Sequence, residues 1–419
     1  MSKKRVLIAG NHTCGNRGDA AILRGLINCI SQIASNVDLV INSRFPESST
    51  YLLNQTVIGD PLAKYRTRAT KSWNSKITKR ITDKLVSRIL LFKLKNKTIG
   101  KVLPLPAVYE HYIKDLSQYD AIIQVGGSFY VDAYGVSQFD NALCSLIAEK
   151  PLLFIGHSVG PFGNGHFADT SESVFSKASF FGLREAVSYD LIKRQFKNKI
   201  PTLDMGTDTA WLVDPKVVVT QLPFQTKRKI IAITVRELAP FDRTLHIKQS
   251  EYERKMANIC KELIDRGYAI LAVSTCTAID GYPKDDRMVA LRIQSQCDPD
   301  TKQHFYVAMD EYNDNQLGSI LSQCVLTIGT RLHSAIISMN FGTPAFALNY
   351  EHKSKGIMEG LGLDNLAVPL VSFMNGDFEF RLYEQLNDLH GLTELTLKKV
   401  SLERQKAFEF VERALKEII

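Results

Sequence analysis

Short apolar runs separated by helical stretches dominate this chain. In its first half, Val6–Gly10, Val37–Asn42, Ala121–Val125, Leu152–Gly156, Phe180–Leu183 and Thr202–Met205 are near-continuous apolar runs. Runs of that length and character predict strands buried on both faces. Helical periodicity fills 17–34, 76–95, 137–148 and 185–196. The pattern lapses over 215–229, where Pro215 and Pro223 punctuate a stretch without helical period, and then restarts. Ile230–Val235, Ala269–Ser274, Phe305–Ala308, Val325–Ile328 and Ala345–Leu348 predict further strands. Helices are expected at 249–266, 284–296, 314–323, 331–341 and 353–361, with a last one over about 393–418. The alternation predicts two doubly wound, Rossmann-like α/β domains, 1–220 and 226–419. Ligands of such sheets bind beyond the carboxyl ends of the strands, so the expected site is a cleft between the two domains.

Composition agrees with this and excludes several classes. At about 100–200 residues per domain, 419 residues hold two domains. A chain 45% hydrophobic and 23% charged is globular rather than disordered. No apolar run reaches the length of a membrane span. The run after Met1-Ser2-Lys3-Lys4-Arg5 is too short for a signal peptide core, so a cytoplasmic location is expected. Seven scattered cysteines with no CxxC pair argue for reduced thiols and against a zinc ribbon. Neither an HExxH motif nor a close histidine pair occurs. Asp285-Asp286, beside Lys284 and Arg287, reads as a solvated charged turn, and no metal site is expected.

The net charge of +8 is concentrated in one segment. Between Lys64 and Lys101 there are 13 Lys and Arg and one acid, Asp83, a local charge of +12. Elsewhere 39 bases face 43 acids, a charge of −4. Within the segment Ile77, Ile81, Leu85 and Ile89 recur every four residues and Phe92 follows, while Lys76, Lys79, Arg80, Lys84 and Arg88 fill other positions. This is a basic amphipathic helix. Two readings stand equally. It docks peripherally on the inner, anionic face of the cytoplasmic membrane, at ~1 kcal/mol per basic residue, or it packs on the core with a solvated basic face. Without interleaved aromatics for base stacking, no nucleic-acid partner is expected.

Polar motifs follow the predicted strands. Asn11-His12-Thr13-Cys14-Gly15-Asn16-Arg17-Gly18-Asp19 leaves the first strand and opens the first helix, whose free N–H groups suit an anion or a sugar hydroxyl. A plain glycine turn with a cap explains it nearly as well. Gln124-Val125-Gly126-Gly127-Ser128 lets a ligand or another backbone approach, with Asp132 and Tyr134 just beyond. His157, in Gly156-His157-Ser158-Val159-Gly160-Pro161, is first a structural hydrogen-bond donor. Arg184 follows an apolar strand and needs an anion, most simply a carboxylate. The most informative block is Thr327-Ile328-Gly329-Thr330-Arg331-Leu332-His333-Ser334-Ala335. There a helix N-terminus, a permanent cation and a titratable imidazole meet at one strand end, as a small polyanion that must be protonated requires. Lys353, after the next strand, reaches the same sheet edge.

In these blocks the chain resembles the polysaccharide pyruvyl transferase family, most closely its colanic acid and amylovoran branch. The resemblance rests on GNHTCGNRGDAAILRG, YDAIIQVGGSF, IGHSVGPF, ITVRELAPFD, STCTAID, KDDRMVAL, GTRLHSAIISMNF and NYEHKSKGIM. It implies a glycosyltransferase-B-like fold and transfer of a pyruvyl group from phosphoenolpyruvate to two hydroxyls of one sugar. A cyclic ketal forms and phosphate is released. Phosphoenolpyruvate is a substrate, and no cofactor is implied. Arg184, Arg331 and Lys353 match the family's donor-binding cations, and His333 its catalytic histidine, acting with Arg331 and Lys353. The implied acceptor is a galactose-containing, undecaprenyl-diphosphate-linked oligosaccharide, bridged at O4 and O6. Acceptor-side candidates are Asn11, Gly15, Asp19, Gly127, Ser128, Asp132 and His157. Two other readings remain at this level: a nucleotide-sugar glycosyltransferase on the same fold, and a non-enzymatic scaffold at the membrane surface.

Overall fold

The computed structural model describes residues 3–68, 73–100, 102–163, 165–215, 219–279, 284–349 and 352–418, without the side chains of 73–81, 83, 84, 99 and 352–355. The chain forms two compact α/β units. Unit 1 comprises Met1–Thr13, Leu26–Thr209 and Lys406–Ile419; unit 2 comprises Cys14–Gly25 and Ala210–Gln405.

The sheet of unit 1 has seven parallel strands: β1 (Lys4–Asn11), β2 (Val37–Ser43), β3 (Val57–Gly59), β4 (Ala121–Tyr130), β5 (Leu152–Val159), β6 (Phe180–Leu183) and β7 (Leu203–Met205). Their order is β3-β2-β1-β4-β5-β6-β7. The order reverses between β1 and β4, the switch point where such sheets bind ligands. Unit 2 has six: β8 (Ile230–Thr234), β9 (Ala269–Ala272), β10 (Phe305–Val307), β11 (Leu326–Gly329), β12 (Ala345–Asn349) and β13 (Ala367–Pro369). Their order is β10-β9-β8-β11-β12-β13, with the switch between β8 and β11. The central strands of both sheets are fully buried, as their unbroken apolar runs require. In unit 1 Phe154, Phe175 and Phe181 close the core, with Phe175 and Phe181 stacked at 4.1 Å between centroids.

The division of the chain differs from the single break expected near 221–225. Residues 406–419 fold with unit 1 because the fully buried Phe410 ring fills a gap left by two glycines there. A Cβ on Gly182 or Gly206 would overlap that ring. At the other end, Cys14–Gly25 folds with unit 2. Arg17, with no exposed surface, ties this segment down. Its NH1 donates to the carbonyls of Cys14 and Gly15, both at 2.9 Å, and its NH2 donates to Thr277 Oγ1 at 3.1 Å and to Glu311. Its backbone N–H donates to Thr275 O at 2.7 Å.

The expected basic helix runs over Trp73–Lys95. Val86, Leu90, Leu91 and Leu94 are its buried apolar residues among those described, and they join the core of unit 1. Ser87 donates to Asp140 Oδ1 at 2.7 Å. Leu85 and Phe92, on the expected apolar stripe, are 46% and 40% exposed. Among the described residues no helix is long and apolar enough to cross a membrane.

Candidate functional site

In unit 2 the chemistry gathers at the carboxyl end of β11. Gly329 ends that strand, and a Cβ there would overlap Ser334 Oγ. The helix Leu332–Asn340 follows, with Arg331 in extended conformation at its N-cap. Arg331 makes a two-pronged ion pair with Asp286: Nε donates to Oδ2 and NH2 to Oδ1, both at 2.8 Å. Asp286 is 1% exposed and also accepts the backbone N–H of Cys276 at 3.0 Å. Thus the expected solvated turn at Asp285-Asp286 is corrected. Only Asp285 caps the next helix and faces Arg287; Asp286 is buried and fixes the plane of the Arg331 guanidinium.

His333 lies against Gly18. A Cβ built on Gly18 would stand 2.6 Å from His333 Cγ and 2.7 Å from its Cβ and Nδ1. Gly18 is in the first turn of the helix Arg17–Ile33, and His333 is in the first turn of its own helix. Two helix N-termini therefore meet at one imidazole, and their dipoles favour an anion there. Gly15 and Asp19, expected on the N-terminal domain, belong to this unit instead. Cys276 borders the same group, and burial pushes its thiol up to about 12, so it stays protonated at neutral pH. Lys284 is half-buried and its pKa is lowered, first by desolvation and then by repulsion from Arg236 and Arg331. Lys284 thus lies close enough to both arginines to feel their charge. Asp286, Gly18, Lys284 and Arg236 went unread as site residues in the sequence, because their partners lie 45 to over 300 positions away. The Lys353 side chain lies outside the described residues, while its backbone opens the helix His352–Leu361 after β12.

In unit 1 Arg184 follows β6 and is 6% exposed. Its NH1 donates to Asp208 Oδ2 at 2.6 Å, its Nε to Ser158 Oγ at 2.9 Å and its NH2 to Ser128 Oγ at 3.0 Å. The carboxylate expected beside Arg184 is Asp208, and Ser128 is a partner of that arginine. Gly126 serves strand packing, since a Cβ there would stand 2.8 Å from Ile155 O. Gly127 has φ +149, and a side chain there would overlap Phe129. Asp132 packs under Gly163.

A cavity of about 230 Å³ opens at the β1/β4 switch point of unit 1. Asn11, His12, Gln124, Tyr130, Arg66 and His157 are among its lining residues. His157 is 1% exposed, and its Nε2 lies 3.0 Å from Gln124 O. A carbonyl only accepts, so Nε2 carries the proton and Nδ1 the lone pair. Burial holds the His157 pKa down to about 3, so the ring is neutral. Its Nδ1 and the Nε2 of Gln124 have no hydrogen-bond partner among the described residues. His157 and Gln124, each with one such buried polar atom, both line this cavity. Asp140, at the cavity wall, accepts from Arg66 Nε, Ser87 and Tyr109, each at 2.7 Å, and is structural. Among the described residues no group of three His, Cys, Asp or Glu side chains is placed to hold a metal ion.

Residues 16–352 match the family described as polysaccharide pyruvyl transferase. The amylovoran biosynthesis protein AmsJ of Erwinia amylovora is 43% identical over 410 residues, covering 96% of both chains. Among solved structures, the UDP-GlcNAc 2-epimerase of Neisseria meningitidis aligns with a TM-score of 0.57 at 11% identity, covering 99% of this chain and 100% of that one. HepE of Anabaena aligns at 0.54 and 10% identity, covering 99% and 98%. These structures share the fold, two doubly wound parallel sheets of the glycosyltransferase-B kind.

Proposed function

Because the chain belongs to the polysaccharide pyruvyl transferase family, we propose that it moves the pyruvyl group of phosphoenolpyruvate onto two hydroxyls of a terminal galactose on a lipid-linked exopolysaccharide repeat unit. The observation that carries the donor half is the meeting of Gly18, His333 and the Asp286-held Arg331 at two helix N-termini. This is where a small trianion gains most and where a proton donor stands beside it.

In this reading Arg331 grips a carboxylate or phosphate of the donor, and Lys284 and Arg236 add charge around the phosphate. His333, protonated, gives its proton to the methylene carbon. C2 becomes oxocarbenium-like, and the first sugar hydroxyl bonds to it, losing its proton. The C2–O bond to phosphorus breaks and phosphate leaves with one proton. The second hydroxyl then bonds C2 and gives its proton back to His333, closing the ketal. Negative charge shifts onto phosphate, so preorganised cations supply most of the acceleration. Arg184 and Lys353 join the donor set through the family resemblance. The cavity of unit 1 serves the acceptor: His157 Nδ1 accepts from, and Gln124 Nε2 donates to, a sugar hydroxyl. A histidine with pKa about 3 is too weak a base to take that hydroxyl's proton, so His157 orients the sugar.

The test is phosphate release from phosphoenolpyruvate by purified protein, with and without a galactoside. Acceptor-dependent release, a new ketal methyl group on the sugar, and loss of both in His333→Ala with an unchanged melting temperature are expected. Full turnover in His333→Ala, or stabilisation against heat by UDP- or GDP-sugars and not by phosphoenolpyruvate, would overturn the reading.

A further inference from the structure

The helix Trp73–Lys95 has two apolar faces, and only one is used by the core. At about 100° per residue, Val86, Leu90 and Leu94 share one side. They are 1%, 0% and 6% exposed and pack in a core with Tyr109, Leu116 and Leu143. Leu85 and Phe92 lie about 140° and 160° round from Leu90 and are 46% and 40% exposed. Ile89 flanks them, half-buried and packed against the core, and Arg88 lies beside them, exposed. Among the described side chains this outer face therefore combines Leu85 and Phe92 with Arg88 and carries no acid.

We propose that this outer face docks on an anionic lipid bilayer. Charge complementarity selects that occupant: the segment Lys64–Lys101 carries +12 on a chain that is otherwise −4. Lys95, Lys97 and Arg66 spend part of that charge on Asp169, Glu149 and Asp140, the first two pairs at 2.5 and 2.6 Å, while Arg88 stays exposed on the outer face. The face is a strip along one helix, with exposed apolar residues at i and i+7 beside Arg88. Such a strip sinks side chains among lipid headgroups while its cations meet lipid phosphates. An RNA partner would want stacking aromatics, and Phe92 is the single aromatic on this face among the described side chains. The proposal is independent of the pyruvyl-transfer reading, since Leu85, Arg88 and Phe92 line neither site.

The test is co-sedimentation of the full chain with vesicles of phosphatidylglycerol and phosphatidylcholine, against phosphatidylcholine alone. Partition onto the anionic vesicles at about 0.1 M salt is expected to exceed that onto neutral ones at least about tenfold and to fall at about 0.5 M. Leu85→Ser with Phe92→Ser is expected to lower partition about tenfold while the melting temperature and turnover of a soluble galactoside stay unchanged. Equal partition onto both vesicles, or unchanged partition of the double variant, would overturn the proposal. So would self-association abolished by the same variant without any binding to vesicles, or binding to RNA alone.

Discussion

Gly18→Ala isolates the geometry of the donor site from its charge. The Cβ it adds would stand 2.6 Å from His333 Cγ and 2.7 Å from His333 Cβ, where ordinary contact begins at 3.4 Å. The ring must therefore retreat by about 0.8 Å, the difference of those two distances. Rotation about χ1 alone does not relieve it, because the clash reaches His333 Cβ. Gly18 lacks a left-handed φ, so alanine there carries no backbone penalty, and helix propensity favours it. A misplacement of about 1 Å costs about 100-fold in rate. At 1.36 kcal/mol per tenfold, that is about 2.7 kcal/mol on the barrier. We expect kcat to fall about 100-fold with the KM for phosphoenolpyruvate nearly unchanged, since Arg331 and Asp286 are not touched. The assay is acceptor-dependent phosphate release beside a thermal melt. In a His333→Ala background the same substitution should change nothing further, because its effect runs through the imidazole. A folded Gly18→Ala protein with wild-type kcat would refute the placement of His333 as proton donor.

Two further outcomes concern unit 1. Gln124→Leu removes the buried donor of the cavity and should raise the KM for the galactoside about tenfold, one lost hydrogen bond of about 1.4 kcal/mol, while leaving the KM for phosphoenolpyruvate alone; equal changes in both would separate the cavity from the acceptor. Stability should also fall in mild acid. Burial holds His157 down to about 3 and His12 down to about 4, the latter helped by Arg44. Both are protonated more readily in the unfolded chain, near 6.5, so the stability they contribute is complete above that pH and is lost as the pH falls toward the folded values. Between pH 6.5 and 5 each costs about 2 kcal/mol, and urea melts at the two pH values should show a smaller loss in His157→Gln; an unchanged loss would show that His157 is not the group being protonated.

The fold was legible wherever burial on both faces writes a continuous apolar run. β1, β4, β5, β6, β8 and β11 were expected within a few residues of their observed starts. β3 and β13, three residues each at sheet edges, were not, whereas β7 and β10, equally short edge strands, were. The crossing of residues 14–25 and 406–419 between units was not legible either. The first depends on Arg17 bonding residues some 260 to 290 positions later, and the second on one ring, Phe410, filling the space above two glycines more than 200 positions earlier. The basic helix was legible as amphipathic, but its apolar stripe at 85, 89 and 92 is mostly the outer face. The inner face, 86, 90 and 94, has the same period one residue on, so periodicity alone did not choose between them. At the donor site Arg331 and His333 were evident because local sequence sets them on a strand end. Asp286 was read as solvent-facing because its neighbours in sequence are charged, while its partner in space is 45 residues away.

Arg331 and Asp286 act as one unit if the reading of the donor site is right, and a double-mutant cycle decides it. Taking both charges out of water is costly, and their attraction only repays it with good geometry. The pair is nearly buried, with side chains 11% and 2% exposed, and both prongs are at 2.8 Å. Asp286 cancels one unit of the positive charge that an anionic donor needs, so as an electrostatic element alone it should hinder binding. Its gain is orientation: it holds the guanidinium plane fixed before the donor arrives. Arg331→Lys keeps the charge and loses the fork, so we expect kcat/KM to fall about 100-fold, near the loss of one transition-state donor. Asp286→Asn keeps the shape, raises the net positive charge and frees the guanidinium, and should also fall, about tenfold to 100-fold. The double variant should be no worse than Arg331→Lys alone, because a lysine has no plane for the carboxylate to hold. Additive losses would mean that Asp286 acts on the reaction by another route. An Asp286→Asn protein that binds phosphoenolpyruvate more tightly and turns over faster would mean that charge, not orientation, limits this site.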